Sequence, residues 1–152
     1  MKAITLLKTT KIGPKLWILD ADMSYLDKLG VIYTVPKGFI TDGASNIRLL
    51  WSLCPPMSGK TAEAAVLHDF LYSKDCIWGF SRQECDEIFL ETMLDAGTNK
   101  GRAYAVYSGV RAGGSSSYQS CYYSEKFKKD SVTDLAWDAI WSGLRPYNKV
   151  AS

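Results

Sequence analysis

The chain has 152 residues, 47% of them hydrophobic and 22% charged, with a formal net charge of +2. That length suits one domain with one good core, and the balance of apolar and charged residues excludes an intrinsically disordered chain. So small a charge gives no electrostatic reason to expect nucleic acid as a partner, and no run approaches the roughly 18 apolar residues of a membrane span.

The N-terminal region reads as β. Ala3 to Thr9 is β-prone, Leu16 to Leu19 forms a second apolar run after the Gly13-Pro14 turn, and Val31 to Val35 forms a third. Pro36-Lys37-Gly38 signals another turn, after which Phe39-Ile40 resumes briefly. A small antiparallel sheet or meander is the economical arrangement. Asp42-Gly43-Ala44-Ser45 breaks the pattern and leads into a short helix expected over Ile47 to Trp51, which Cys54-Pro55-Pro56 ends.

The chain then turns helical. Thr61 stands as an N-cap for a helix from Ala62 to Tyr72. Ser81 to Glu84 has the form of a capping box, opening a second helix that runs to about Asp95 with Gly97 to end it. Thr98 can cap a third, whose Ala103, Val106, Tyr107 and Val110 share a face and which Gly113-Gly114 stops. A Ser-rich loop over Ser115 to Ser120 and a last helix from about Val132 to Trp141, carrying Trp137 and Trp141 on one face, complete the chain. The expected fold is α+β: one domain over 1–152, about 1–45 mainly β, about 46–114 a helical core, and about 115–152 a loop plus C-terminal helix.

Candidate chemistry centres on the only histidine, His68. His68 and Tyr72 lie four residues apart and share a helix face, with Asp69 about a quarter-turn away. Asp86 lies one turn before Phe89 and Leu90 and two before Met93, so it is expected to point inward, where a carboxylate needs partners. If His68 Nδ1 donates to Asp86, the other ring nitrogen becomes a general base. Asp69 is then free to hold a cation or orient water, and Asp42, in the Thr41 to Ser45 loop, can join it. The same residues also read as a buried polar network that locks two helices together. Four cysteines, Cys54, Cys76, Cys85 and Cys121, have no zinc-site spacing and are expected to be reduced and at least partly buried.

Several motifs in order carry a resemblance: VPKGFITDGAS (35–45), Trp51, AAVLHDFLY (64–72), SRQECDEIFLETMLDAG (81–97) and YAVYSGVRAGG (104–114). Together they resemble the phage and prophage family called domain of unknown function 1353, over roughly Tyr25 to Gly114. Ile47 stands where that family usually has proline, and Cys85 where it often has alanine. The resemblance implies a phage origin and a virion or tail association, with synthesis in the host cytoplasm and other phage structural proteins, or further copies of itself, as partners. A second, local resemblance is to the secreted phospholipase A2 active site. It implies His68 as base, Asp69 as a Ca2+ ligand, and Asp86 with Tyr72 orienting the histidine, TDGAS standing in for that family's calcium loop. Two functions follow: a hydrolase-like phage protein acting on a bacterial envelope component, lipid or peptidoglycan, or a non-catalytic structural or adaptor protein of the tail or capsid.

Overall fold

The computed structural model describes residues 2–43 and 61–119. Six short strands precede three helices: β1 (Lys2–Ala3), β2 (Thr9–Gly13), β3 (Leu16–Leu19), β4 (Met23–Leu26), β5 (Ile32–Val35), β6 (Ile40–Thr41), α1 (Ala62–Tyr72), α2 (Arg82–Asp95) and α3 (Lys100–Gly113). All strand pairs are antiparallel and form two three-stranded sheets, ordered β1-β4-β5 and β2-β3-β6. The α+β class expected from the sequence is therefore the class observed.

Two sheets stand where one meander was expected, and turn chemistry is the reason. After β5, the Pro36–Phe39 turn closes through Phe39 N–H donating to Pro36 O at 3.2 Å, with Gly38 at φ 87°. That positive φ at the third turn position suits glycine, and it sends the chain back onto β3 rather than along β5. Ile18 then faces Ile40 and Trp17 faces Thr41. The stretch from Ala3 to Thr9 also divides, since strand geometry is kept only at its two ends. Met23–Leu26 is a strand that the sequence reading passed over. Its alternation is nevertheless regular, with Met23 and Tyr25 buried opposite Val35 and Tyr33.

The helices match their sequence signals closely, with two corrections at the caps. Thr61 occupies the N-cap position of α1 but makes no capping hydrogen bond through its side chain. Asn99, not Thr98, caps α3, accepting from Arg102 N–H. The Ser81–Glu84 capping box is present in full. Gly97 ends α2 in the left-handed region, at φ 81°, with Gly97 N–H on Leu94 O and Thr98 N–H on Met93 O, both 3.0 Å. This is the Schellman arrangement, which satisfies the last carbonyls of a helix. Beyond α3, the first part of the Ser-rich stretch forms a 3₁₀ turn, Gly114–Ser116. The expected helices at Ile47 to Trp51 and Val132 to Trp141, and the residues Cys54, Cys121, Ala44 and Ser45, lie outside the described residues.

Helix α1 is buried nearly all round, which places it at the centre of the core, as expected for a helix apolar on every side. It packs on α2, which packs on α3, and it also touches β5 and β6. Edge-on aromatic contacts join the layers: Phe39 to Phe70, Phe70 to Trp78, and Tyr33 to Trp78, with centroids 5.2 to 5.7 Å apart. Cys76 and Cys85 are buried free thiols within this core. No helix among the described residues is long and apolar enough to cross a membrane.

The two α2 caps generate a first prediction. Ser81→Ala and Gly97→Ala should each lower the unfolding free energy by about 1 kcal/mol, one by removing an N-cap acceptor and the other by forcing an alanine into left-handed backbone. Urea denaturation of each variant, read by far-UV circular dichroism, measures the loss.

Candidate functional site

The side chains that sequence spacing brought to attention meet around one carboxylate. Asp86 is 0% exposed and His68 3% exposed. Asp86 Oδ1 accepts from His68 Nε2 at 2.9 Å and from the Tyr72 hydroxyl at 2.5 Å. Asp86 Oδ2 accepts from Arg111 Nη1 at 2.7 Å. Thus α1 supplies the histidine and tyrosine, α2 the carboxylate and α3 the guanidinium. His68, Asp86 and Tyr72 are brought together as their helical spacing implied.

The nitrogen that Asp86 engages is Nε2, whereas the sequence reading named Nδ1. The roles of the two nitrogens are accordingly exchanged. Nε2 is fixed by the carboxylate, and among the described residues Nδ1 has no hydrogen-bond partner. The ring is held on both faces, stacked on Phe89 with centroids 4.5 Å apart and tilted against Tyr72 at 4.1 Å.

Electrostatics fix the protonation states. Burial lowers the His68 pKa, and this outweighs the opposing hydrogen bond and charge of Asp86. Burial alone would raise the Asp86 pKa, but hydrogen bonds from His68, Tyr72 and Arg111 outweigh it and hold the carboxyl below its ordinary range. Burial, then the hydrogen bond to Asp86, pushes the Tyr72 phenol up, so it stays protonated. At neutral pH the set is an ionised Asp86, a neutral His68 donating through Nε2–H, and a Tyr72 hydroxyl donor. The His68 lone pair is then on Nδ1.

Two arginines were missed. Arg82 lies four residues before Asp86 on α2, but its Nε is 3.9 Å from Asp86 Oδ2, beyond hydrogen-bond reach. Its Nη2 instead donates to the Val110 and Arg111 carbonyl oxygens, closing the C-terminal end of α3. That closure steadies the backbone of Arg111 while its side chain reaches back to Asp86. The i, i+4 spacing of Arg82 and Asp86 was a readable signal. The arrival of Arg111 was not, because it depends on how α3 packs against α2. Gly114 belongs to the same arrangement: a Cβ there would sit 3.2 Å from the Tyr72 hydroxyl oxygen.

Beside this network lies an open cavity of about 390 Å³. His68, Asp69 and Tyr72 contribute to its wall from α1, Thr41 and Asp42 from the end of β6, and Ser117 and Gln119 from the segment after α3. That last segment is tied down by Gln119 N–H on Tyr72 O at 2.9 Å and by the Tyr118 hydroxyl on Phe80 O at 2.7 Å. The sequence reading left Asp69 free for a cation. In the structure its Oδ2 accepts from the Thr41 hydroxyl at 2.5 Å, and Thr41 in turn accepts from Gly43 N–H at 3.0 Å. Asp69 therefore joins β6 to α1. Asp42 and Asp69 share the cavity wall, but among the described residues no three His, Cys, Asp or Glu side chains are placed to hold a metal ion.

Comparison with known proteins places the chain within a recognised family. The model of the family described as "Protein of unknown function (DUF1353)" matches residues 17–110, more than half of the chain. The chain belongs to the DUF1353 family. The matched span contains His68, Tyr72 and Asp86 and ends one residue before Arg111. No curated protein and no solved structure matches the chain.

The buried histidine makes stability depend on pH. A group whose folded pKa is depressed binds fewer protons folded than unfolded between the two values, so stability is lost as pH falls through that window. For His68 the window opens just below its ordinary value of 6.5, and Asp86 adds a second loss in the acid range. The unfolding free energy of the wild type should fall on acidification from about pH 6.5. In His68→Gln that first decline should vanish while the more acidic one remains. Chemical denaturation at half-unit pH steps measures both.

Proposed function

We propose that this DUF1353 chain is a hydrolase in which His68 is the general base and Asp86 and Tyr72 orient it. The observation that carries the reading is a neutral histidine at a cavity wall, fixed at Nε2 by a buried carboxylate and bearing its lone pair on Nδ1. This is the arrangement a positioned base requires: geometry first, and then a protonation state that leaves the acceptor available near neutral pH. A water bound in the cavity would lose a proton to Nδ1 as its oxygen adds to an acyl carbon. Collapse of the adduct breaks the bond to the leaving oxygen or nitrogen. That atom keeps the electron pair and takes the proton back from Nδ1, releasing a carboxylic acid and an alcohol or amine. Asp86 stabilises the imidazolium formed between these steps.

The resemblance to phage and prophage proteins supports a role in the virion or tail, and an envelope component of the bacterial host, lipid or peptidoglycan, is the substrate class in keeping with it. A structural reading has one observation in its favour. Tyr72, His68 and Arg111 all converge on Asp86, so the carboxylate links three helices whatever chemistry it does. In that reading the protein is an adaptor of the particle, and the histidine only fills its place in the core.

The two readings differ in what happens to activity and to stability. His68→Gln keeps a donor for Asp86 but removes the base. It should lower envelope-degrading activity of the purified full chain by about 10²-fold or more while shifting the unfolding midpoint little. Asp86→Asn should lower both, since it leaves the half-buried Arg111 guanidinium without its charge partner and His68 and Tyr72 without a carboxylate acceptor. Release of soluble products from bacterial envelope preparations, beside thermal unfolding of each variant, is the measurement. An inactive wild type, with both variants strongly destabilised, would sink the hydrolase reading and leave the structural one.

A further inference from the structure

The contact that orients His68 also works against it as a base. Asp86 Oδ1 lies 2.9 Å from His68 Nε2, and both side chains are buried. A carboxylate so close to an imidazole favours the charged ring, because an ion pair leaves no net charge in the core whereas a lone anion does. A general base has to be unprotonated near neutral pH. Burial of the ring opposes protonation, but burial penalises an uncompensated Asp86 as well.

Counting charges across the three helices resolves the conflict. Arg111 Nη1, from the last turn of α3, is 2.7 Å from Asp86 Oδ2, the oxygen that neither His68 nor Tyr72 uses. With the ring neutral, the charges of Asp86 and Arg111 cancel. A proton on His68 would then leave the group with a net positive charge inside the protein. Without the guanidinium the count reverses: the neutral ring leaves a buried anion, and the protonated ring balances it. Tyr72 donates to Asp86 but carries no charge, so it does not alter the count. Arg82 Nε is 3.9 Å from Oδ2, while its Nη2 donates to the Val110 and Arg111 carbonyl oxygens, so much of its charge is set against the end of α3. It adds to the effect of burial on His68, against the hydrogen bond and charge of Asp86. On the cavity side, the described carboxylates are Asp42, Asp69 and Asp75.

We propose that Arg111 is a positioning residue of the His68 site: as the counter-ion of Asp86 it keeps the carboxylate from drawing a proton onto the ring, so that Nε2–H faces Asp86 and Nδ1 keeps its lone pair. Arg111 belongs to the YAVYSGVRAGG segment (104–114), to which the proposed reaction otherwise assigns no part. The inference rests on the hydrolase reading only in giving the Nδ1 lone pair a use. The charge relation itself is independent of any reaction.

His68 is the chain's only histidine, so ¹⁵N-histidine labelling of the full chain reports one ring, its protonation and which nitrogen carries the proton. In the wild type at neutral pH the ring should be neutral, with the proton on Nε2. Arg111→Gln removes the charge but keeps a donor, and Arg111→Met removes both. Each should raise the pH midpoint of the ring by about one pH unit or more. Arg111→Lys keeps the charge and should stay near the wild-type midpoint. Charges elsewhere are common to every variant and cancel in the comparison. The Arg111 side chain is 34% exposed, so these substitutions open no void in the core, and thermal unfolding of each variant checks that it folds. Should Arg111→Met not fold, Arg111→Gln decides. A purely structural Arg111 would change the unfolding midpoints and leave the ring's titration where it is. An unmoved ring in Arg111→Gln would overturn the inference, as would a shift in Arg111→Lys as large as that in Arg111→Gln. A wild-type ring already protonated at neutral pH would overturn it without any variant. Envelope-degrading activity is scored separately. A ring that responds to Arg111 as described in a protein without activity leaves the inference standing and removes the hydrolase reading. An active wild type whose ring ignores Arg111→Gln does the reverse.

Discussion

A carboxylate with no exposure to solvent is the constraint on which the rest of this molecule depends. Removing a charge from water costs several kcal/mol even after relaxation, and only a full set of donors makes it tolerable. Asp86 has that set, from Tyr72 and His68 on α1 and from Arg111 on α3. Satisfying it requires all three helices to be in register at once. Losing one donor would leave a buried acceptor unmatched, which is more costly than the mean value of a hydrogen bond suggests.

The surroundings are arranged so that this polar centre costs little elsewhere. Phe89 and Tyr72 cover the imidazole. Arg82 closes the carbonyl end of α3, so the backbone carrying Arg111 is held where its side chain is needed. Gly114 lets the chain pass close to the Tyr72 hydroxyl. On the opposite side, the Thr41–Asp69 bond joins the short strand β6 to α1 and thereby sets the distance between the apolar sheet edge and the histidine. The cavity is the space left between those two attachments. Among the described residues, Thr41 and Asp42 line it from the end of β6, and His68, Asp69 and Tyr72 line it from α1.

One network can serve both stability and chemistry because the demands fall on different atoms. Packing engages Nε2, both Asp86 oxygens and the tyrosine hydroxyl. The proposed base would use only Nδ1, which has no hydrogen-bond partner among the described residues. Burial keeps the ring neutral, as a base requires, and the cation that neutralises Asp86 sits behind the carboxylate rather than in the cavity.

The sequence by itself determined the three described helices, both ends of α2, and the inward aim of Asp86. These depend on contacts within a turn or two, and local signals such as Ser81 with Glu84, Gly97, and the Asp86, Phe89, Met93 stripe record them directly. The four-residue spacing of His68 and Tyr72 placed both on one face for the same reason. Other features needed the tertiary structure. Strand β4 went unread because its four residues carry a weak local pattern, and β6 leaves β5 for β3 because of a turn whose consequence is non-local. The choice of Nε2 over Nδ1, the arrival of Arg111 and the capture of Asp69 by Thr41 were decided by how α1, α2, α3 and β6 approach one another. Residue spacing fixes which face a side chain occupies, but only packing of those faces fixes which atom meets which.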